Sequence, residues 1–205
     1  MKKLTSQQLT RKKWVSYSTL GWSFGVVMVV LTALFLEMLK LGFSSQAVVG
    51  LGMGFGVGLM QWLILNKHFK ISLNWILYST GGLGFSFVLA DVVFYFFELK
   101  PEIILPLATC LGALISGWFQ DRKILRKIID KPTSWILYHF AAWLIAYAVT
   151  MGLFYISGKI TPYMPSYLSF MMALGFLVIG GPIFGYITWL GIVQIPSSTI
   201  ESEEY

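Results

Sequence analysis

"NWILYSTGG" (residues 74–82) opens an apolar run, and sixty residues later "SWILYHFAA" (134–142) opens another in nearly the same words. A fainter version, "KWVSYSTLG" (13–21), lies near the N-terminus. Aligned on Trp14, Trp75 and Trp135, the three share a tyrosine three residues on (Tyr17, Tyr78, Tyr138) and a small residue seven on (Gly21, Gly82, Ala142). The apolar runs that follow share a second pattern. "GFGVGLMQW" (54–62), "ALISGWFQD" (113–121) and "GPIFGYITW" (181–189) each set a small residue, a glycine four later and a polar residue three beyond that: Gly54, Gly58, Gln61; Ala113, Gly117, Gln120; Gly181, Gly185, Thr188. The unit written three times is therefore a helical hairpin of about 60 residues. Two crossings per unit bring the chain back to one side, so the copies run parallel about an axis normal to the membrane, unlike inverted-repeat transporters.

The bulk composition demands a membrane. Of 205 residues 57% are hydrophobic and 12% charged, and the mean hydropathy is +0.73. Soluble domains carry about a quarter charged residues. Apolar stretches at 14–36, 46–65, 75–97, 103–119, 135–156 and 168–192 approach the ~20 residues that cross a hydrocarbon core. The expected fold is an all-α integral membrane protein: six transmembrane helices as three hairpins (14–65, 75–119, 135–192) in a pseudo-threefold bundle. It forms one domain between a basic segment, 1–13, and an acidic tail, 193–205. No small-residue cleavage site follows the first run, so the first span is expected to stay.

With the N-terminus taken as cytoplasmic, twelve Lys and Arg fall on inner segments and only Lys40, Lys100 and Lys159 on outer ones. That bias orients the chain with both termini inside. The basic residues flank spans and belong to no soluble module, which argues against nucleic acid. "DRKILRK" (121–127) is placed to meet anionic lipid head groups. The single cysteine, Cys110, can form no intrachain disulfide.

Packing alone accounts for much of the repeated grammar. Trp and Tyr suit the membrane–water interface, and small-xxx-small spacing lets helix backbones approach. Gln61, Gln120 and Thr188 can bridge helices with hydrogen bonds worth about 1 kcal/mol each. In "VGLGMGFGVGLM" (49–60), Gly50, Gly54 and Gly58 share one side of a helix while Gly52 and Gly56 lie nearly opposite, so this span admits neighbours on two sides. No strand precedes these glycines and no Gly-Lys-Ser/Thr follows them, which excludes a phosphate loop. The Gly-xx-Gln-Trp-xx-Leu run in "GLMQWLIL" (58–65), followed by "NWILYSTGGLG" (74–84), resembles a group of uncharacterised bacterial multi-pass membrane proteins built from such hairpins. The resemblance spans residues 14–192 and implies a bacterial cytoplasmic membrane; "GWFQDRK" in the second hairpin departs from it, lacking the Trp after Gln.

Intramembrane ionisable groups mark candidate sites. Asp91 lies 16 residues past Trp75, about 24 Å along the helix. Thr80, Asp91 and Glu98 fall near one helical face, and Glu37 matches Glu98 in the repeat. These four residues, with Pro182 of the "GGP" break (180–182), form the candidate ligand site, an acidic outer vestibule beside a kinked helix. The structural alternative makes Glu37 and Glu98 span ends and gives Asp91 a lysine or hydroxyl partner. His139 stands where the other copies have Ser18 and Ser79, too far in depth to pair with Asp91, and a hydrogen bond to a neighbouring helix is expected for it.

No His-Glu-xx-His, Gly-x-Ser-x-Gly or cysteine pair is present, so no catalytic residues, metal or cofactor are assigned and an enzyme is the least favoured class. Two functions remain as expectations. One is binding or transport of a small molecule or lipid within the bundle. The other is a non-catalytic accessory subunit assembling with a membrane-protein partner or with further copies of itself.

Overall fold

The structure is a computed structural model that describes residues 9–40, 46–97, 99–128, 134–160 and 165–193. These residues form an all-helical protein with no strand among them, and six of the helices are long and apolar enough to cross a membrane. The helices are α1 (Arg11–Met38), α2 (Gln46–Phe69), α3 (Asn74–Phe97), α4 (Pro101–Gln120), α5 (Trp135–Ile160) and α6 (Ser166–Ile192). A π turn over Asp121–Leu125 and a last helical turn, Arg126–Ile128, extend α4. Each helix covers its apolar stretch and runs a few residues beyond it.

Local chemistry sets several of the ends. Thr10 caps α1 by accepting the Lys13 amide N–H at 3.4 Å. Pro101 occupies the first turn of α4, where a missing N–H costs nothing. Lys40 and Lys70 terminate α1 and α2 in the left-handed region, at φ 54° and 48°.

Each helix packs on the next in chain order, and α6 packs back on α1, closing a ring of six. Glycines decide how closely. A Cβ added at Gly54 would stand 2.7 Å from the Ser79 carbonyl oxygen of α3, and one at Gly56 would stand 2.4 Å from the Gly25 amide nitrogen of α1. Gly50 and Gly58 face α3 as Gly54 does, and Gly52 faces α1 as Gly56 does. The two-sided reading of α2 thus describes its real neighbours.

Packing is uneven along the ring. One end is plugged by Trp14, Trp75 and Trp135, each 0% exposed, packed with Ile64, Leu65, Ile124, Leu125 and Ile192. The three tryptophans stand at the starts of their helices, and their rings face into the bundle, not out from it. The rings that do face outward near this end include Trp118 at 45% and Tyr186 at 50% exposed. Toward the far end the ring thins on one side. No residue of α1 beyond Gly25 is buried, and the described side chains of α6 before Gly180 are likewise unburied. The flanking segments 1–8 and 194–205, which hold most of the basic N-terminus and acidic tail, lie outside the described residues.

Candidate functional site

The three buried tryptophans sit within a polar circuit. Trp75 donates its indole N–H to Gln61 Oε1 (3.4 Å), Trp135 to Gln120 Oε1 (3.0 Å) and Trp14 to Thr188 Oγ1 (3.0 Å). Each bond joins the first helix of one predicted hairpin to the second helix of the preceding one, and the Trp14 bond joins the first helix to the last. The rings also touch: Trp135 lies 5.4 Å from Trp75 and 6.4 Å from Trp14, centroid to centroid. Beside each bond a glycine receives the residue four past the tryptophan. Gly58 faces Ser79, Gly117 faces His139 and Gly185 faces Ser18. The helix-packing residues inferred from sequence, Gly54, Gly58, Gln61, Gly117, Gln120, Gly181, Gly185 and Thr188, all lie at these seams or beside them.

The seams differ in how completely their polar atoms are used. Gln120 Nε2 donates to Ser79 Oγ at 2.7 Å, so Gln120 serves two helices at once. The corresponding pair, Gln61 and Ser18, is unbonded, and both Gln61 Nε2 and Ser18 Oγ are buried without a partner. Thr188 accepts from Trp14 and donates to the Phe184 carbonyl of its own helix at 2.8 Å. His139 Nε2 lies 3.0 Å from Ser116 Oγ on α4 and accepts the Trp143 indole N–H at 3.2 Å. An indole N–H can only donate, so Nε2 holds the lone pair and the ring proton sits on Nδ1, which is buried without a partner. The bond to a neighbouring helix expected for His139 is present. Its depth, 2% exposed, places it in the core.

Above this level Trp22, Trp143 and Phe184 form an aromatic tier, with centroids 4.9–6.0 Å apart. Trp22 explains the "GGP" break. Pro182 has no N–H for the Val178 carbonyl, yet α6 runs through it unbroken, with the proline on its exposed face. The neighbouring carbonyl of Leu177 accepts the Trp22 indole N–H at 2.7 Å. Gly180 provides the seat, since a Cβ there would meet the Trp22 ring at 2.3 Å. The expected break is instead a continuous turn of helix that seats an indole from α1.

Asp91 also has an occupation that composition did not suggest. Its two carboxylate oxygens accept the amide N–H groups of Gln46 (2.8 Å) and Ala47 (2.9 Å), the first two residues of α2. A carboxylate on unpaired amides at a helix N-terminus is stabilised by direct bonds and by the helix dipole. The partner is thus backbone of the adjacent hairpin, in addition to any side chain. Thr80 lies on the same helix as Asp91, with its Oγ1 buried and unpartnered. Glu37 is exposed near the end of α1. Glu98 lies outside the described residues. The five candidate ligand residues are therefore not gathered in one place: Asp91 and Thr80 share α3, while Pro182 points outward from α6.

Sequence reasoning passed over Asp121. It is 0% exposed, while its partner Arg126 donates to it at 2.9 Å from a side chain 38% exposed. The spacing of five hid the pair, because on a regular helix such residues lie about 140° apart. The π turn over Asp121–Leu125 changes that geometry. Among the described residues no group of three or more metal-ligating side chains occurs. Comparison of the chain with known protein families, with curated proteins and with solved structures gives no match.

Proposed function

We propose that the chain is a bacterial multi-pass membrane protein, made of three like hairpins, that binds or moves a small apolar molecule or lipid. On this reading both termini face the cytoplasm, and the tryptophan plug closes that side while the opposite end receives the ligand. The observation that carries it is the uneven packing. Added Cβ atoms at Gly21, Gly54, Gly56, Gly82 and Gly185 would all collide with neighbours. At the exposed Gly152 and Gly158 of α5 and Gly175 of α6, as at the exposed Gly81 of α3, an added Cβ would meet nothing within 4 Å. Thr150, buried and with its hydroxyl unpartnered, lies beside Gly180 and Trp22 at the base of this looser sector. Apolar walls with a few polar groups are what small-molecule sites are made of.

The same bare sector supports a second reading, an accessory subunit whose α5 and α6 receive a partner's helix, because exposed small residues permit close helix approach. Mild-detergent extraction from native membranes followed by mass spectrometry separates the two. The ligand reading expects a lipid or small molecule that is lost when Gly175→Leu and Gly152→Leu fill the space. The accessory reading expects a polypeptide at fixed stoichiometry. A chain that emerges alone, unaffected by the leucines, contradicts both.

A further inference from the structure

We infer that the tryptophan end carries a binding surface for anionic lipid head groups. The surface is built from the ends of three helices. Arg11, Lys12 and Lys13 begin α1, and Lys67 and Lys70 close α2, all exposed. Arg122, Lys123, Arg126 and Lys127 follow α4, exposed as well. Among the described residues this end holds one carboxylate, Asp121, which is fully buried and paired with Arg126. Positive charge is therefore in excess among the described residues at this end.

One feature separates this surface from a mere orientation signal, the π turn. It takes Asp121 into the core while Arg122 and Lys123 stay exposed, four and five residues past the exposed Trp118 of α4. Cations following an outward indole match the chemistry of the head-group layer, where phosphates meet amphipathic rings. Arg11 behaves alike, its guanidinium 5.8 Å from the centroid of the half-exposed Tyr186 ring. The inference needs only that the helices cross a bilayer, and it stands or falls apart from the ligand proposed for the far end.

The test uses the full chain in detergent, offered phosphatidylglycerol or phosphatidylcholine, with retained lipids counted by native mass spectrometry. The intact protein should retain phosphatidylglycerol at least tenfold better, and the preference should collapse as salt rises from about 50 to about 500 mM. Arg122→Gln with Lys123→Gln should weaken retention about fivefold for each charge removed, whereas Lys40→Gln with Lys100→Gln at the far end should leave it unchanged. Equal retention of the two lipids by the intact protein would overturn the inference without recourse to any variant. So would a preference that the far-end pair reduces as much as the α4 pair.

Discussion

Trp135 and Gln120 are joined by a 3.0 Å hydrogen bond between two side chains that water cannot reach, and the same Gln120 reaches on to Ser79. One glutamine thus ties α4 to both α5 and α3. Gln61, its counterpart, accepts only from Trp75, over 3.4 Å, and leaves its amide nitrogen unused. Removing a partner from a buried polar group costs about 1–3 kcal/mol. Gln120→Ala removes two bonds between helices and Gln61→Ala removes one. Thermal unfolding in detergent should therefore rank Gln120→Ala as the more damaging by about 1 kcal/mol; equal effects would argue against the two-helix role.

The glycines provide a sharper contrast. At Gly56 a methyl group would enter the backbone of α1, 2.4 Å from the Gly25 amide nitrogen, and backbone cannot swing aside. Gly56→Ala should lower stability by about 2–4 kcal/mol, in the range of strained cores. Gly152→Ala, inside a helix with open space around it, should raise stability by about 0.5–1 kcal/mol. The two melting temperatures, measured side by side, check this.

Trp22→Phe keeps most of the ring seated over Gly180 but removes the donor to the Leu177 carbonyl. The expected loss is about 1–2 kcal/mol. Pro182→Ala restores a donor to an exposed turn of α6 and should be neutral or mildly stabilising in the same unfolding assay. A strongly destabilised Pro182→Ala would mean that the proline shapes the helix in a way the Trp22 socket does not explain.

Asp91→Ala leaves the first amides of α2 without their cap. A lost cap costs about 0.5–2 kcal/mol. Hydrogen exchange at Gln46 and Ala47 should rise while exchange at the tryptophan end stays unchanged. An unaltered exchange pattern would return Asp91 to the list of ligand-binding candidates.

Much of this was legible in the chain, and the reasons are physical. Length and apolarity placed six helices within a few residues of their ends, because a membrane span leaves little choice of length. The spacing of five glycines showed that α2 is approached closely on two sides, because helical periodicity fixes which residues share a face. The tryptophans were harder. An indole suits an interface as well as a core, and only the partner decides; Gln61, Gln120 and Thr188 were visible, but their pairing across seams depends on how the ring closes. Asp91 was legible as a polar group in an apolar run, whereas the amides that occupy it belong to a helix start 45 residues away in sequence. Asp121 was hidden by the π turn, which no local pattern announced.

The central claim is that three like hairpins close into a ring, with α1 against α6. Cross-linking tests it most directly. In a Cys110→Ser background, Ser18→Cys is combined with Gly185→Cys, positions where an added Cβ would approach the Ser18 Cβ to 2.9 Å. Leu20→Cys, 56% exposed on the outer face of α1, replaces Ser18→Cys in the control. Rapid intrachain disulfide formation in membranes, absent from the control, is the predicted result. Failure of the Ser18–Gly185 pair to link, or linking no faster than the control, would contradict the closed ring.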